Sequence, residues 1–539
     1  MTFRFLRLTT LAVAAALPAL PALAQEIRIG LASEPSSADP HFHNLGPNNQ
    51  LRRNFFESLV GADENQKLYP KLATSWKPVD ETHWEFKLRE GVTFSDGSTF
   101  DAYDVVYSLC RIPGVPDSPS LFTTYTKAVS GVEVVDPLTL IVETEAPYPL
   151  LPTEFSTWGI ISAKANGVDG ASIAFDPEDC GDLAYPATQD FNDGTAAIGT
   201  GPFLLNSFRR GEGIEMGRNP TYWGDPAPWE KVTMRPLTSD GPRVAALFAG
   251  DVDFIENPPL QDLERIEEQD GLQVVQGISN RVIYLHLDHE QEPSPMITGT
   301  DGKNPLKDVR VREALSISIN RDAIVDRIMG GVAVTAGELL PSGMFGAHEE
   351  GDMPAAPYDP ERAKALLAEA GYPDGFGITI GTPNDRYIND AQVAQAVAQM
   401  WSRLGVTTEI DAVTASTFFS RRNAYEFSVY LAGWGSGTGE MSSPLKALLA
   451  TADSDRGYGG TNRGQYSNPE LDAVLTEALE TVDDDKRQEL LREGSRIGME
   501  DWAILPLHFE VTPWAMTDAV NYTPRVEQYT LPYFITPAE

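Results

Sequence analysis

Cysteine is nearly absent: Cys110 and Cys180 are the only two in 539 residues. That excludes a cysteine-built zinc module or a disulfide-dense miniprotein. In an exported chain the isolated pair is expected to be bridged, which on the chain-entropy view contributes roughly 4 kcal/mol; two free thiols are the alternative. Basic residues are also scarce, 41 Lys and Arg against 78 Asp and Glu, for a net charge of −37. So acidic a surface repels nucleic acid and anionic lipid, and neither is expected as a partner. Only one long apolar run exists, Leu11 to Leu20, about half of what a bilayer span requires. The seven histidines are scattered. His41 and His43 lie two apart and His286 and His289 three apart, with no cysteine or third histidine at ligand spacing, which disfavours a zinc or nickel site. No segment reads H-E-x-x-H, and no serine has the flanking glycines of a nucleophile elbow. Gly302-Lys303 runs into Asn304 and lacks the earlier glycine of a phosphate loop. No cofactor and no enzymatic activity are expected.

What is present begins with a leader. Arg4 and Arg7 precede the apolar run, and Ala22-Leu23-Ala24 offers small residues on both sides of a cleavage point. Cleavage before Gln25 and export to a periplasm are expected, and no cysteine follows to take a lipid.

The mature chain is too long for one core, so two or three domains are expected. Strand-like segments alternate with capped helices, which indicates α/β domains. Glu26 to Ala32 reads as a first strand, Trp84 to Leu88 alternates strictly, and Thr139 to Glu143 is another strand. Asp101 is placed to cap a helix burying Val105, Val106 and Leu109. Asp359-Pro360-Glu361 is a helix start with cap, proline and acid in order. Asn468-Pro469-Glu470 repeats that plan, and Asp390 to Leu404 forms a further amphipathic helix closed by Gly405. The long connections Gly159 to Thr200, Asp288 to Pro305 and Ala347 to Pro360 are expected as surface excursions.

The most unusual stretch runs Gly433-Trp434-Gly435-Ser436-Gly437-Thr438-Gly439-Glu440. It follows a strand, has Thr438 where a dinucleotide fingerprint needs its third glycine, and lets backbone approach another body closely. A tight loop at a strand end and a wall of a ligand pocket both fit it.

Several ordered segments carry a resemblance. They include Tyr69 to Trp76, Phe86 to Gly97, Asp104 to Leu109, Gly199 to Phe203, Arg218 to Trp223, Leu247 to Asp253, Val309 to Leu315 and Tyr358 to Lys364. Together they resemble the large solute-binding proteins of the peptide, nickel and opine type, family 5 of the extracellular binding proteins, over almost the whole mature chain. The resemblance implies a type II periplasmic-binding (Venus-flytrap) α/β fold with two ligand-closing lobes and an additional inserted lobe. Lobe I would comprise residues 25–58, 198–277 and 507–539, the inserted lobe 59–197, and lobe II 278–506, with hinge crossings near Gly277 and Leu505. It further implies capture of a short peptide or similar zwitterion and delivery to the permease subunits of an ABC importer, by a monomer. In that reading Glu440 meets the ligand's ammonium and Arg386 its carboxylate. Trp434 supplies an apolar wall, and Asn384, Tyr387, Ser436 and His43 line the site. Glu440 as a solvated loop acid, and Arg386 paired with Asp385 or Asp390, are the bland alternatives. Within the family a metal chelate, an opine-like conjugate or an oligosaccharide would be other cargoes; a periplasmic hydrolase or a signalling receptor would be other functions.

Overall fold

The computed structural model describes residues 26–538; the leader and its cleavage point lie outside them. Five strands matter most for the site: β1 (Glu26–Leu31), β2 (Leu272–Leu287), β3 (Gly377–Pro383), β4 (Val429–Gly435) and β5 (Ile504–Thr517). They belong to one mixed sheet in which β3, β4, β2 and β5 lie side by side, followed by Phe254–Glu256, β1, Lys231–Pro236, Gly213–Arg218 and Phe203–Arg209.

The two long central strands join the lobes. The first part of β2, Leu272 to Ile278, pairs with Thr517 to Val511, and its second part, Val282 to His286, pairs with Phe509 to Ile504. Between these parts the register breaks at Ile278/Val282, opposite Phe509 and Val511. Such a break locally weakens the ladder and increases twist. The break in β2 lies next to Gly277, and the facing interruption in β5 falls between Phe509 and Val511. Beyond the break, β5 pairs with Phe254–Glu256 on one side of the molecule. Before it, β5 pairs with Ala333–Thr335 and β2 with β4 on the other.

The buried apolar residues fall into separate cores. Ile27, Ile29, Phe55, Met216, Val232, Phe254 and Trp514 are buried together in the first. A second gathers Phe86, Phe94, Val105, Leu140 and Trp158 around an antiparallel sheet of Ala73–Pro78, His83–Leu88, Thr139–Thr144 and Val129–Asp136. The third body has a core on each face of its sheet, one around Leu285, Val393, Val397 and Trp401, the other around Tyr284, Tyr430, Leu445 and Leu475. Val106, Tyr107, Ile161 and Phe191 belong to the first core although they fall within residues 59–197. The inserted segment is thus rooted in the first lobe as well as carrying its own sheet.

Local chemistry explains the helices. Asp101 caps Ala102–Arg111 by accepting from Tyr103 N, with Asp104 returning the bond to the Asp101 backbone. Asp359 accepts from Arg362 N ahead of Pro360–Glu369, and Asn468 caps Pro469–Glu480. Each satisfies an N–H that the first turn leaves open. Cys110, on the Ala102–Arg111 helix, is bridged to Cys180 with their Cα atoms 5.8 Å apart. The bridge ties the long Gly159–Thr200 excursion to that helix.

Candidate functional site

Three adjoining cavities of about 470, 680 and 800 Å3 run between the lobes. Their walls come from both sides of the register break: Ala32, Gln50, Glu256 and Tyr529 from the first lobe, Arg281, Arg386 and the Gly435–Gly437 loop from the third. Gln66 and Tyr125 of the inserted segment complete them.

The glycine loop is held from two sides. Asn280 Nδ2 donates to the Ser436 carbonyl at 2.6 Å and to Gln66 Oε1 at 2.7 Å. Gln66 in turn donates to the carbonyl of Gly437 at 3.3 Å. Gly439 has a left-handed backbone (φ +71°), and a Cβ there would lie 2.7 Å from Gln66 Cβ, so only glycine fits on both counts. A Cβ on Gly433 would meet the Tyr387 ring at 2.8 Å. The alternating glycines therefore let the loop press against Gln66 on one side and Tyr387 on the other.

Arg386 stands on the loop after β3. Asp390, at the start of the Asp390–Ser402 helix, accepts from the backbone N–H groups of Arg386 and Tyr387 at 3.1 and 3.0 Å. Asp385 is engaged by Ala415 N at 2.7 Å. Both acids are thus occupied by backbone, and the exposed Arg386 guanidinium has no ion-pair partner among the described residues; it lies 5.1 Å from the Tyr387 ring centroid. It lines two of the three cavities. Tyr387 lines one of them and donates its hydroxyl to the Gly433 carbonyl at 3.3 Å.

Glu440 departs from expectation. It is only 2% exposed, and both its oxygens accept from Arg487 Nη1, at 3.0 and 2.9 Å. Ser442 Oγ donates to it as well. Arg487 comes from the Asp484–Glu500 helix and stacks 4.1 Å from the Phe345 ring centroid. The charge of Glu440 is neutralised inside its own lobe, and the residue does not appear in the cavity walls; it holds the base of the glycine loop. His43 also lies off the wall, its Nδ1 hydrogen-bonded to Ser36 Oγ at 2.9 Å, while its neighbour Asn44 forms the wall. Asn384 is exposed and donates its N–H to Val413 O, with Asp385 lining the cavity in its place. Trp434 lines the 680 Å3 cavity and donates Nε1 to Ser443 Oγ at 3.2 Å. Ser436 lines the 800 Å3 cavity.

Most wall residues escaped the sequence reading, among them Arg281, Glu256, Arg52 and Glu154. Arg281 Nε meets Glu510 at 3.2 Å near the register break. Glu256, from a strand of the first lobe, accepts from Gln50 Nε2 at 2.7 Å and Ala32 N at 2.9 Å and has no cationic partner within 4 Å among the described residues. Burial pushes its pKa up. The remaining two, Arg52 and Glu154, line the cavity beside Trp434. None sits in a recognisable motif; each is made a wall residue by chain segments hundreds of positions apart.

The two histidine pairs singled out by their spacing take structural partners. His41 Nε2 donates to the Gly159 carbonyl at 2.8 Å and Arg111 donates to its Nδ1 at 3.1 Å. His289 Nε2 donates to the Ala503 carbonyl at 2.9 Å, and His286 Nδ1 is 2.6 Å from the Tyr430 hydroxyl.

Known proteins place this geometry. The family model of bacterial extracellular solute-binding proteins, family 5 Middle, matches residues 67–456. The glutathione-binding protein GsiB of Salmonella paratyphi A is 27% identical over 515 residues, covering 93% of each chain. The structure of HbpA2 from Haemophilus parasuis superimposes with a TM-score of 0.81 at 22% identity, covering 96% of this chain and 100% of that one. DppA from Helicobacter pylori, solved with the peptide STSA, gives 0.71 at 21% identity, covering 96% and 98%.

Proposed function

Because the chain belongs to the bacterial extracellular solute-binding proteins of family 5, we propose that it captures a short peptide intact between its lobes and presents it to an ABC permease. Family members bind small ligands or peptides and work with such permeases. Among the described residues no helix is long and apolar enough to cross a membrane.

The observation that carries the peptide reading is the unpaired Arg386 guanidinium on one lobe, sharing a cavity with the Glu256 carboxylate on the other, which has no cation within 4 Å among the described residues. A guanidinium grips a carboxylate through two parallel hydrogen bonds, and a buried carboxylate without a cation favours an ammonium. Glu256 thereby takes the role first assigned to Glu440. A ligand whose two ends touch both lobes favours closure by its extra contacts there. Polar cavity walls leave room for bridging water around variable side chains. Binding without chemistry is part of the same reading: the ligand is held by its two ends and released intact.

The relatives' name makes glutathione the first ligand to titrate, beside a panel of di- and tripeptides. Calorimetry should give saturable one-to-one binding to at least one of them, with the ligand recovered uncleaved. Cleaved products would show a hydrolase, and binding of sugars but no peptide would show a different cargo.

A further inference from the structure

The charges around the three cavities are distributed unevenly. The 470 Å3 cavity is lined by Arg243, Arg281 and Arg386 against Asp240, Asp385 and Glu510. The 800 Å3 cavity sets Arg53, Arg281 and Arg386 against Glu34, Glu256 and Glu527. Both walls balance. The 680 Å3 cavity does not: Arg52, Arg53, Lys127 and Lys446 face a single acid, Glu154. This cationic excess lies in a protein whose net charge is −37.

Three of the four cations lack a counter-charge. Arg53 lies 3.7 Å from Glu527, but Arg52, Lys127 and Lys446 have no carboxylate within 4 Å among the described residues. Arg52 is 3% exposed; its Nε donates to Asn49 Oδ1 at 3.3 Å and its Nη2 to the Thr157 carbonyl, both neutral acceptors. Burial and the neighbouring Arg53 bring its pKa down to about 9. Lys446 is half-buried, and burial together with Lys127 lowers its pKa. The lone acid does not offset them. Glu154 accepts from the Tyr148 hydroxyl at 2.8 Å through one oxygen, while the other is buried without a partner. Burial raises its pKa to about 8, so near neutrality it is largely a protonated donor rather than an anion.

We infer that this cavity is a second anion subsite, and that the ligand is an acidic peptide whose two carboxylates are held apart, one at Arg386 and the other among Arg52, Lys127 and Lys446. The inference rests on the peptide reading above and narrows it. Partly desolvated cations without counter-charges are unfavourable until an anion arrives, so the second carboxylate adds affinity that a neutral side chain cannot. Glu154, protonated, does not repel that carboxylate.

The test presents ligand-stripped protein with an equimolar mixture of di- and tripeptides plus glutathione, and reads the retained peptides by native mass spectrometry. Wild type should retain peptides with two carboxylates over their amide counterparts by roughly tenfold or more, the size expected of one close charge pair. Lys127→Met combined with Lys446→Met should bring that ratio close to one while keeping the neutral peptides. Retention of the neutral peptides shows in the same spectrum that the variant is folded; should it retain none, exposed Lys127→Met alone must still lower the ratio. Equal retention of both classes by wild type, or an unchanged ratio in the variants, overturns the second subsite and leaves peptide capture standing. Retention of no peptide by wild type overturns peptide capture itself, and the subsite with it.

Discussion

Arg487 Nη1 bridges both carboxylate oxygens of Glu440, at 3.0 and 2.9 Å, beneath the glycine loop. Removing one member of a buried pair strands the other charge, a loss of roughly 3 kcal/mol or more. Glu440→Gln should therefore lower the urea midpoint clearly, and adding Arg487→Met should recover part of the loss. A Glu440→Gln protein of unchanged stability but impaired binding would return this residue to the ligand site.

Arg386 has the opposite profile. Its guanidinium is exposed and unpaired, so Arg386→Met should leave unfolding unchanged. Peptide affinity should fall by about 2 kcal/mol or more, some thirtyfold, because the ligand carboxylate loses its partner in a closed cavity. Calorimetry on both proteins checks this; equal affinities would remove Arg386 from the site.

Glu154 supplies a pH signature. Burial raises its folded pKa to about 8, against an ordinary value of 4.5 when unfolded. Between these values the native state holds more protons than the unfolded one. Its contribution to stability is therefore complete below the lower value and is lost as pH rises through the upper, with a slope of at most about 1.4 kcal/mol per pH unit. Glu154→Gln should flatten that part of the urea-midpoint profile between about pH 5 and 8. His41 and His289, whose pKa values burial lowers to about 3, act in the opposite sense at lower pH and are common to both proteins. Parallel profiles would contradict this assignment.

The Cys110–Cys180 bridge closes a separation of 70 residues. Replacing both cysteines by serine should destabilise the protein by roughly 4 kcal/mol on the chain-entropy view. The bridge lies away from the three cavities, so peptide affinity should be unchanged. Thermal melts and calorimetry on the double variant read the two quantities separately.

The elements legible in the sequence are those fixed locally. Asp101, Asp359 and Asn468 cap the helices they precede because a cap bond spans only two or three residues. Alternation in Trp84 to Leu88 likewise marks a strand with one buried face. Arg386 could be singled out because the segment Asn384 to Asn389 resembles the one that carries the carboxylate-binding arginine in the family. Glu440 could not be read correctly: its partner Arg487 arrives 47 positions later, on the Asp484–Glu500 helix, and nothing local distinguishes a paired acid from a free one. Glu256 and Arg52 were invisible for a related reason. Their significance is a missing counter-charge, which exists only once the lobes have assembled around the cavity.

Capture between lobes requires that the β2–β5 crossings bend when ligand binds. Small-angle X-ray scattering with and without saturating peptide measures that directly. The radius of gyration should fall on binding, and by less in Arg386→Met at the same peptide concentration. Identical scattering from the free protein and from the wild-type complex at proven saturation would contradict capture by closure.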